Sequence, residues 1–568
     1  MTHPLFTKHE DTLKHALSTI ETRGYWSPFA EMPSPKVYGE SANADGEAAF
    51  KAQFDKPFEL DQPASGGTVG AEQSPYGFAL GIRYPKSSPD ELIDAAAQAQ
   101  RAWREAGPHA WAGVCLEILA RLNRASFEIA YGVMHTTGQA FMMAFQAGGP
   151  HAQDRALEAV AYAWQELQRI PADAHWEKPQ GKNPPLAMHK RYTIVPRGTG
   201  LVLGCCTFPT WNGYPGMFAD LATGNTVIVK PHPGAILPLA ITVRIARDVL
   251  REAGFDPNVV TLLATEGNDG ALVQDLALRP EIKLIDFTGS SKNGTWLERN
   301  AHQAQVYTEK AGVNQIVLDS VDDLKAAVKN IAFSLALYSG QMCTAPQNIY
   351  VPRDGIRTAE GPVSFDDVAQ AIAGAVQKLT GDPARSVDLI GALQNEGVAT
   401  RIDDARKLGR VLADSQALEH PAFKGARVRT PLVLQLDVAD RAKYTQEWFG
   451  PISFVIATDS TAQSLDLAGS IAAEQGALTL SVYSTDDAVV EAAHEAAVRG
   501  GVALSINLTG SVFVNQSAAF SDFHGTGANP AANASLADAA FVANRFRVVQ
   551  SRHHVAPKSA PAEAGQTA

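Results

Sequence analysis

The chain has 568 residues, of which 45% are hydrophobic and 19% are charged, and its formal net charge is −12. This length exceeds what one hydrophobic core usually organises, so we expect a soluble globular protein with two or three domains. The acidic balance and the lack of a long basic run argue against nucleic-acid binding, because phosphate recognition needs clustered Lys and Arg.

The cysteine content and the start of the chain bear on its compartment. Only Cys115, Cys205, Cys206 and Cys343 occur, which favours a reducing environment. No C-x-x-C or Cys/His spacing indicates zinc, so no metal site is predicted. The first residues lack the basic-then-apolar order of a signal peptide, and no apolar run approaches the ~20 residues that span a bilayer. We therefore expect a cytoplasmic protein without a membrane partner.

The amino-terminal part begins with loops and then becomes strongly helical. Helical periodicity covers residues 12–22, and turn formers dominate up to about residue 75. The run Ser88-Pro89-Asp90-Glu91 combines a capping residue, an early proline and first-turn acids, which predicts a helix start. The helical pattern then continues to about residue 167, and "KPQGKNPP" (178–185) breaks it.

From residue 192 onward, short apolar runs alternate with amphipathic helices. A long helix is predicted over 322–338 and separates two sets of strands. Such alternation predicts two α/β domains with parallel sheets, and the Ala/Pro/Gly-rich end of the chain is predicted to be disordered. The predicted strands include "GLVLGCCTF", "NTVIVKP", "NVVTLLA", "IKLIDFTG", "QAQVYTE" and "NQIVLD" in the first set, and "PLVLQL", "ISFVIAT", "LTLSVYS" and "VALSIN" in the second.

Cys343 stands directly after that long helix. Gly340 precedes it and permits a tight turn, and Pro346 follows and prevents a helix from continuing. A thiol on such a turn can face a cleft, with backbone N–H groups that favour a thiolate or hold a developing oxyanion. Cys343 is therefore either a nucleophile or an inert buried thiol, and this stretch alone does not decide.

Four further segments carry candidate polar residues. They are "GNTVIVKP" with Lys230 at a strand end, the turn "DFTGSSKNG" (286–294), "VYTEKAG" with Glu309, and "EWFGP" with Glu447 and Phe449. A small-residue turn before a helix suits a phosphate, although this turn is not the dinucleotide fingerprint G-x-G-x-x-G. Each segment alone fits an ordinary turn or a solvated charge, so only their combination is informative.

In this order and spacing the segments "GNTVIVKP", "FTGSSKNG", "YTEKAG", "GQMC" and "EWFGP" resemble the aldehyde dehydrogenase superfamily. The separation of Glu309 and Cys343 by 34 residues (343 − 309) agrees with that resemblance, which extends from about residue 90 to residue 552. The stretch "NQSAAFSDFHGTGANPAANASLADAAFVANRFRVVQSR" further resembles the PaaN-type proteins of phenylacetic acid degradation. The resemblance implies an α/β fold with a Rossmann-type cofactor domain, an α/β catalytic domain and a small β oligomerisation element.

The same resemblance implies domain boundaries and an assembly. It implies an extension over 1–75 packed on the cofactor domain, an NAD(P)-binding domain over 76–309 with a bridging strand near 188–197, and a catalytic domain over 310–514. A bridging and oligomerisation segment over 515–552 and a disordered tail over 553–568 follow. The bridging pieces are expected to pair at a subunit boundary, giving a homodimer or a dimer of dimers.

For catalysis, the resemblance implies that Cys343 attacks an aldehyde and that Glu309 activates the water that hydrolyses the resulting thioester. The family usually has an asparagine before Phe-Pro that completes the oxyanion hole, whereas this chain has Thr207 there and Asn212 five residues later. We expect one of these two side chains to serve as the donor. The resemblance also implies that Phe208 and Trp211 line the substrate site. Candidate residues at the entrance of that site are Phe520, Phe523 and His524.

For the cofactor, the resemblance assigns Lys230 to the adenosine ribose, Glu447 and Phe449 to the nicotinamide end, and a turn beneath the dinucleotide. Pro233 stands where the family usually has the glutamate that holds the ribose 2′-hydroxyl, so NADP is expected to be accepted besides NAD, helped by His232 if that residue is protonated. The residues assigned to the turn are Thr288, Gly289, Ser290 and Gly294.

The sequence-based expectation for function is NAD(P)-dependent oxidation of an aldehyde, either CoA-linked or an open-chain semialdehyde from phenylacetate or other aromatic breakdown, to a carboxylic acid. A CoA-acylating aldehyde dehydrogenase and a catalytically weak relative acting as an assembly subunit are the alternatives. A cofactor-free cysteine hydrolase is less well supported, because no convincing Cys-His-Asn order is present.

Overall fold

The computed structural model describes residues 3–514, 519–520 and 523–556. The described α-helices are Pro4–Thr22, Pro35–Tyr38, Ala42–Lys51, Pro89–Arg124, Ser126–Thr137, Phe141–Gly148, Pro150–Gln168, Pro209–Ala222, Leu237–Glu252, Gly270–Leu278, Ser291–Asn300, Leu324–Ala336, Phe365–Thr380, Pro383–Ile390, Glu396–Ala405, Arg441–Tyr444, Thr461–Gln475, Asp487–Gly500 and Ala539–Ala543. Short 3-10 helices cover Pro257–Val259, Leu337–Gly340 and Val438–Asp440.

The first sheet is entirely parallel and has five strands, as the alternation after residue 192 predicts. Each of its strands except Gln305–Glu309 is followed by a helix that leads back to another strand of the same sheet, which leaves the carboxyl ends of the strands at one edge. In spatial order its strands are Gln305–Glu309, Ile282–Thr288, Thr199–Leu203, Thr226–Lys230 and Val260–Leu262.

The second sheet has seven strands, and all of its pairings are parallel except that of the edge strand Arg410–Ala413. Its inner strands are buried along their whole length, as expected when helices cover both faces. From that edge its strands are Arg410–Ala413, Leu432–Asp437, Ile452–Thr458, Pro346–Pro352, Asn314–Leu318, Thr479–Tyr483 and Ala503–Ile506.

The third sheet is antiparallel, with Asn183–Pro196 between Phe546–Val555 and Asp173–Gln180. The two predicted bridging pieces thus lie side by side, within one chain. The segment 178–185, expected to be a break, instead forms a hairpin around Gly181, whose φ of 63° suits a turn. The strand Phe546–Val555 includes residues 553–555 of the expected disordered tail, and residues 557–568 lie outside the described ones.

Small two- and three-stranded pieces complete the strand inventory. They are Thr68–Val69 with Tyr84–Pro85, Gln73–Ser74 with Phe78–Ala79, Ala417–Leu418 with Val428–Arg429, and Ser320–Val321 with Ile356–Thr358 and Gly361–Val363. No helix of the described ranges is long and apolar enough to cross a membrane.

The helical region before the first sheet follows its sequence signals closely. Ser88 accepts a hydrogen bond from the Glu91 amide (3.2 Å) and Glu91 accepts one from the Ser88 amide (2.7 Å), which is the predicted capping box. The helix Pro89–Arg124 is kinked at Gly107, whose φ is 79°, next to Pro108. The amino-terminal helix Pro4–Thr22 packs on it, and Lys8 and His9 contact the buried Glu117 at 2.6 and 2.7 Å.

A buried ion cluster connects the carboxyl-terminal segment to the first sheet. Arg545 is fully buried and donates hydrogen bonds to Asp220 (2.5 Å) and to both carboxylate oxygens of Asp286 (2.6 and 2.8 Å). Its guanidinium group also stacks on the rings of Tyr307 and Phe541. Because buried charges are costly unless paired, this cluster fixes the position of the chain that precedes Phe546–Val555.

Candidate functional site

Cys343 lies on the turn between the helix Leu324–Ala336 and the strand Pro346–Pro352. Gly340 has a φ of 60°, and a Cβ atom there would lie 2.6 Å from the Gly450 carbonyl oxygen, so only glycine fits. The side-chain amide of Asn314 donates to the carbonyls of Cys343 (2.8 Å) and Ala345 (3.0 Å). The backbone around the thiol is therefore fixed from both sides, as the sequence stretch predicts for a side chain placed on a turn.

The Cys343 side chain borders two cavities. One has a volume of about 300 Å³ and an apolar wall; the other has about 320 Å³ and contains the acidic residues. The described lining of the apolar cavity is Met142, Met143, Gln146, Ala147, His151, Phe208, Trp211, Phe333, Leu337, Met342, Cys343, Thr344, Asp388, Leu389 and Phe513. The described lining of the acidic cavity is Cys205, Cys206, Thr207, Phe208, Asn212, Thr288, Gly289, Ser290, Glu309, Lys310, Ala311, Cys343, Arg401, Glu447 and Phe449.

A third cavity of about 520 Å³ lies at the carboxyl ends of the first sheet. Lys230 lines it, and so does the turn 288–290, which leads into the helix Ser291–Asn300. Cys205, Cys206 and that turn also line the acidic cavity, so the two form one continuous groove that ends at Cys343. A strand-end crevice with a cation and a helix amino terminus fits the phosphates and ribose of a dinucleotide.

Most of the predicted cofactor residues lie along this groove. Glu447 and Phe449 line its inner end, and burial raises the pKa of Glu447 to about 7 despite the nearby Gly312 amide and Arg401. Burial also lowers the pKa of Lys230 to about 8. Gly294 lies behind the lining and has no room for a Cβ atom, which would lie 2.5 Å from Lys310. Pro233 is buried in a turn and does not belong to the described lining.

Glu309 ends the strand Gln305–Glu309 and is 1% exposed. Burial alone would raise the pKa of its carboxyl group, but the charge and hydrogen bond of His524, with smaller contributions from Cys343 and Arg155, lower the pKa to about 2. Its Oε2 atom accepts hydrogen bonds from Asn212 Nδ2 (3.0 Å) and His524 Nε2 (3.0 Å), whereas its Oε1 atom has no partner. Glu309 is thus an ionised carboxylate with one bare oxygen.

His524 occupies a position that the sequence did not indicate. It was expected at the substrate mouth, but it is 4% exposed, and its Nε2 atom lies 3.9 Å from the Cys343 sulfur and 3.0 Å from Glu309. Its ring meets Trp211 edge-on, with 4.5 Å between the ring centroids. Residues separated by 181 and 215 positions meet here, and no local pattern signals such a contact.

Burial and the nearby Glu309 carboxylate raise the pKa of the Cys343 thiol well above its usual range. In this state Cys343 is protonated, so nucleophilic attack requires that its proton move to a neighbouring group. The acceptor groups that the described residues place within 4.8 Å of the sulfur are the Glu309 carboxylate and the His524 imidazole.

Thr207 and Asn212 both lie beside Cys343, but they are held differently. The Thr207 carbonyl accepts a hydrogen bond from Gln139 (2.7 Å), and its side chain lines the acidic cavity. Asn212 is on the first turn of the helix Pro209–Ala222; its oxygen accepts the Cys205 thiol hydrogen bond (3.5 Å) while its amide donates to Glu309. The Asn212 donor is therefore already engaged with the carboxylate.

Of the predicted substrate residues, Phe208 and Trp211 line the apolar cavity, whereas Phe520 and Phe523 belong to none of the described linings. Phe520 is buried beside Trp26, and its amide donates to Glu158. Phe523 is exposed and lies under Arg23 at 4.3 Å.

Phe520 and Phe523 pack against Trp26 and Arg23 of the amino-terminal extension, whereas His524 points toward Cys343 and Glu309. The residues that sequence reasoning missed in the apolar cavity include Met142, Met143, Phe333, Met342 and Phe513. They come from separate elements that no sequence motif connects.

His232 lines the cofactor groove but does not supply a positive charge there. Burial, reinforced by Lys230, lowers its pKa to about 4, and its Nδ1 atom accepts a hydrogen bond from the Gly234 amide (3.1 Å). A neutral imidazole offers no charge to a 2′-phosphate. The expectation that a protonated His232 assists NADP is therefore not supported by this geometry.

Comparison with known proteins identifies the family of this chain. Residues 83–531 match the family model described as the aldehyde dehydrogenase family. The chain belongs to this family. It resembles 1-pyrroline-5-carboxylate dehydrogenase 1 of Halalkalibacterium halodurans, with 25% identity over 437 residues that cover 74% of this chain and 78% of that protein.

The solved structures include a much more similar relative of this chain. The crystal structure of an NAD-dependent aldehyde dehydrogenase from Burkholderia multivorans is 88% identical, has a TM-score of 0.97, and covers 98% of this chain and 100% of that chain. A Thermus 1-pyrroline-5-carboxylate dehydrogenase with bound NAD shares the fold, with 17% identity and a TM-score of 0.72 over 94% of this chain and 99% of that one. The predicted superfamily, α/β fold and enzyme class are confirmed.

Proposed function

We propose that this aldehyde dehydrogenase oxidises an apolar aldehyde to a carboxylic acid with NAD, using Cys343 as the nucleophile and Glu309 as the base for hydrolysis. The observation that carries the proposal is the position of Cys343, where the apolar cavity meets the acidic end of the cofactor groove. An aldehyde carbon bound at the sulfur from the apolar side is accessible from the groove on the other side.

The residues of the chain divide the reaction between them. The Cys343 sulfur bonds to the aldehyde carbon, and its proton passes through the Glu309 and His524 pair to solvent, which leaves Glu309 ionised for the hydrolytic step. Bound NAD supplies the acceptor for the hydride whose loss converts the thiohemiacetal on Cys343 into a thioester. Glu309 then takes a proton from a water molecule at its bare Oε1 atom, the water oxygen bonds to the acyl carbon, and the carbon–sulfur bond breaks to release the acid and restore the thiol.

The cofactor assignment rests on the fit of the groove and on the closely similar enzyme. Lys230 binds the adenosine ribose, the turn 288–290 lies beneath the pyrophosphate, and Glu447 with Phe449 orients the nicotinamide end. The Burkholderia multivorans relative, at 88% identity, is NAD-dependent. The neutral state of His232 favours NAD over NADP as well.

The lining of the apolar cavity supports a substrate class. Met142, Phe208, Trp211 and Phe513 offer methyl, thioether and aromatic surface, and none of the lining residues in the described ranges is Lys or Arg. A substrate with a carboxylate near its aldehyde, such as those implied by the names of the 1-pyrroline-5-carboxylate dehydrogenases, needs a cation in the cavity. An apolar aldehyde fits better, and so does a CoA-linked semialdehyde from phenylacetate or other aromatic breakdown, because its carboxyl group is masked as a thioester and the CoA group can lie outside the cavity.

The product is proposed to be the free acid. Glu309 lies beside Cys343 with an unpartnered oxygen, which suits activation of water. A CoA-acylating enzyme transfers the acyl group to a thiol instead and has no need of this base. The third alternative, an assembly subunit with weak catalysis, predicts NAD binding without turnover.

The deciding experiment measures absorbance of reduced cofactor with the purified enzyme. The panel contains apolar aliphatic and aromatic aldehydes, CoA-linked semialdehydes and 1-pyrroline-5-carboxylate, each assayed with and without free CoA, and Cys343→Ser is the control. We expect turnover with apolar members and an acid product by mass spectrometry. Selective use of 1-pyrroline-5-carboxylate would overturn the apolar substrate class. A CoA-dependent acyl-CoA product would overturn the free-acid product. NAD binding without turnover on the whole panel would overturn the catalytic role.

We also propose that the chain assembles into a dimer or a dimer of dimers through its third sheet. Val549 and Val555 are 57% and 42% exposed on the edge strand of this sheet. An exposed apolar edge strand is a pairing surface. Light scattering coupled to size-exclusion chromatography tests this, since Val549→Lys is expected to shift the mass toward the monomer.

A further inference from the structure

Cys343, Glu309 and His524 bring three different metal-ligand atoms together, although no sequence spacing predicts a metal site. The thiol sulfur, one carboxylate oxygen and one imidazole nitrogen all lie within 4.8 Å of one another. The His524 Nε2 atom is 3.0 Å from Glu309 Oε2 and 3.9 Å from the Cys343 sulfur. Both Glu309 and His524 are almost completely buried.

These separations are close to those of a tetrahedral zinc site. Bond lengths of about 2.0–2.1 Å to nitrogen, 2.0–2.2 Å to oxygen and 2.3 Å to sulfur give ligand–ligand separations of roughly 3.3–3.6 Å. The observed nitrogen–oxygen and nitrogen–sulfur distances differ from those values by a few tenths of an ångström. The sulfur and the carboxylate oxygen lie within 4.8 Å of each other, so side-chain rotations that shorten this separation would place one ion among the three atoms.

An unpartnered atom supports the same conclusion. Glu309 Oε1 is buried and has no hydrogen-bond partner, so this carboxylate has unused capacity to coordinate a cation. The Asn212 amide holds the other oxygen at 3.0 Å, and the Trp211 ring packs against His524. Groups that orient the ligands in this way strengthen metal binding in proteins.

We propose that Cys343, Glu309 and His524 bind a Zn²⁺ ion, with water in the fourth position, and that this binding reversibly inactivates the enzyme. The Cys343 thiol and the His524 imidazolium each release one proton to solvent, the sulfur and the Nε2 nitrogen bond to zinc, and no oxidation state changes. One thiolate, one carboxylate and one neutral imidazole neutralise the two positive charges, so the buried complex has no net charge. Three protein ligands and an open position are the usual set for accessible zinc.

Metal binding removes the groups that the aldehyde reaction needs. The sulfur lone pair is shared with zinc, and the Glu309 carboxylate no longer accepts a proton from water. Lys230 lines the cavity of about 520 Å³ and neither of the two cavities that Cys343 borders, so the adenosine end of the groove is expected to remain open. Only the inhibition rests on the proposed function; metal binding itself is measured without substrate, so failure of one is distinguishable from failure of the other.

The direct test uses Co²⁺ as a spectroscopic probe of the same site. Titration of the cofactor-free enzyme is expected to produce a thiolate-to-cobalt charge-transfer band that Zn²⁺ abolishes. The band is expected to persist in Cys206→Ser, because Cys206 lies outside the cluster. It is expected to be lost in Cys343→Ser. His524→Gln is expected to weaken Co²⁺ binding by at least ~10–100-fold. A band that persists in Cys343→Ser, or that never appears in the wild type, overturns the proposal.

A second test needs no variant and so does not depend on the folding of one. Zn²⁺ is expected to slow alkylation of Cys343 by iodoacetamide, mapped by peptide mass spectrometry, and to leave the alkylation of Cys206 unchanged. A chelator is expected to restore both alkylation of Cys343 and turnover. Equal protection of both thiols, or inhibition of turnover without protection of Cys343, assigns the zinc to another site and overturns the proposal.

Discussion

The buried carboxylate of Glu309 and the imidazole of His524 are hydrogen-bonded, with 3.0 Å between Oε2 and Nε2. A carboxyl group that is buried alone becomes neutral because its pKa rises. Here burial is the largest single influence, but the charge and hydrogen bond of His524, together with contributions from Cys343 and Arg155, outweigh it and hold the pKa of Glu309 at about 2. The ionisation of the proposed base therefore depends in part on a residue far in sequence from the segments that carry Cys343 and Glu309.

Replacing His524 by Gln is expected to move the acidic limb of the pH–rate profile upward. The base works only in its ionised form, so activity falls as the pH drops below the pKa of Glu309. Loss of the imidazole charge raises that pKa, by ~1–3 units for an opposite charge at this range. Steady-state rates measured across pH check this.

His151→Gln is the control for that change, because His151 lines the apolar cavity and forms an ion pair with Glu31 at 2.9 Å rather than with Glu309. Its acidic limb is expected to match that of the wild type. If His524→Gln and the wild type have the same acidic limb, His524 does not govern the ionisation of Glu309.

Replacing Asn212 by Ala is expected to slow hydrolysis of the thioester more than its formation. The Asn212 amide donates to the Glu309 carboxylate, and a hydrogen bond to a charged group contributes ~1.5–3 kcal/mol, which corresponds to ~10–100-fold in rate. Stopped-flow measurements are therefore expected to show a rapid burst of reduced cofactor followed by a slower steady state.

Thr207→Val is the matched comparison for Asn212→Ala. Thr207 lines the cavity at Cys343, and its hydroxyl group can donate a hydrogen bond to the substrate oxygen. We expect this variant to slow the burst itself, by up to the ~10²–10³-fold seen when one oxyanion donor is lost. An unchanged burst in Thr207→Val would exclude its hydroxyl from that role.

Replacing Arg545 by Met is expected to lower the free energy of unfolding by ~3–5 kcal/mol, because it leaves Asp220 and Asp286 buried without their partner. Denaturant titration followed by circular dichroism measures the change. Arg547→Met is the control, since Arg547 is exposed two residues further on and is expected to change stability by less than about 0.5 kcal/mol. Equal losses in the two variants would contradict the importance of the buried cluster.

The sequence predicts those parts of the fold that depend on local pattern. Strand–helix alternation identifies both parallel sheets, and the capping box at Ser88 identifies a helix start, because period and capping are set by neighbouring residues. The position of Cys343 on a turn follows in the same way from Gly340 and Pro346. The sequence does not predict the hairpin around Gly181, because the residues on both sides of the turn (177–186) include three prolines and none of them is buried.

The candidate site is less predictable, because its contacts join distant segments. His524 meets Glu309, 215 positions away in sequence, while Phe520 packs beside Trp26 of the amino-terminal extension. A sequence motif does not record which of several aromatic and histidine side chains in one loop turns inward. For the same reason His232 looked like a possible cation, whereas its burial in the groove keeps it neutral.

Replacing His232 by Arg is expected to increase the use of NADP relative to NAD. The wild-type imidazole has a pKa of about 4 and is neutral at neutral pH, so the groove offers a 2′-phosphate no charge from this position. A guanidinium group remains charged and pairs bidentately with phosphate, and a gain of roughly 1.4 kcal/mol changes the ratio tenfold. Ratios of kcat/KM for NADP and NAD measure the effect.

His232→Gln, a neutral replacement, is the control and is expected to leave the wild-type ratio unchanged. Two outcomes would show that His232 contributes a positive charge: a wild type that prefers NADP, or a His232→Gln variant that loses the use of NADP.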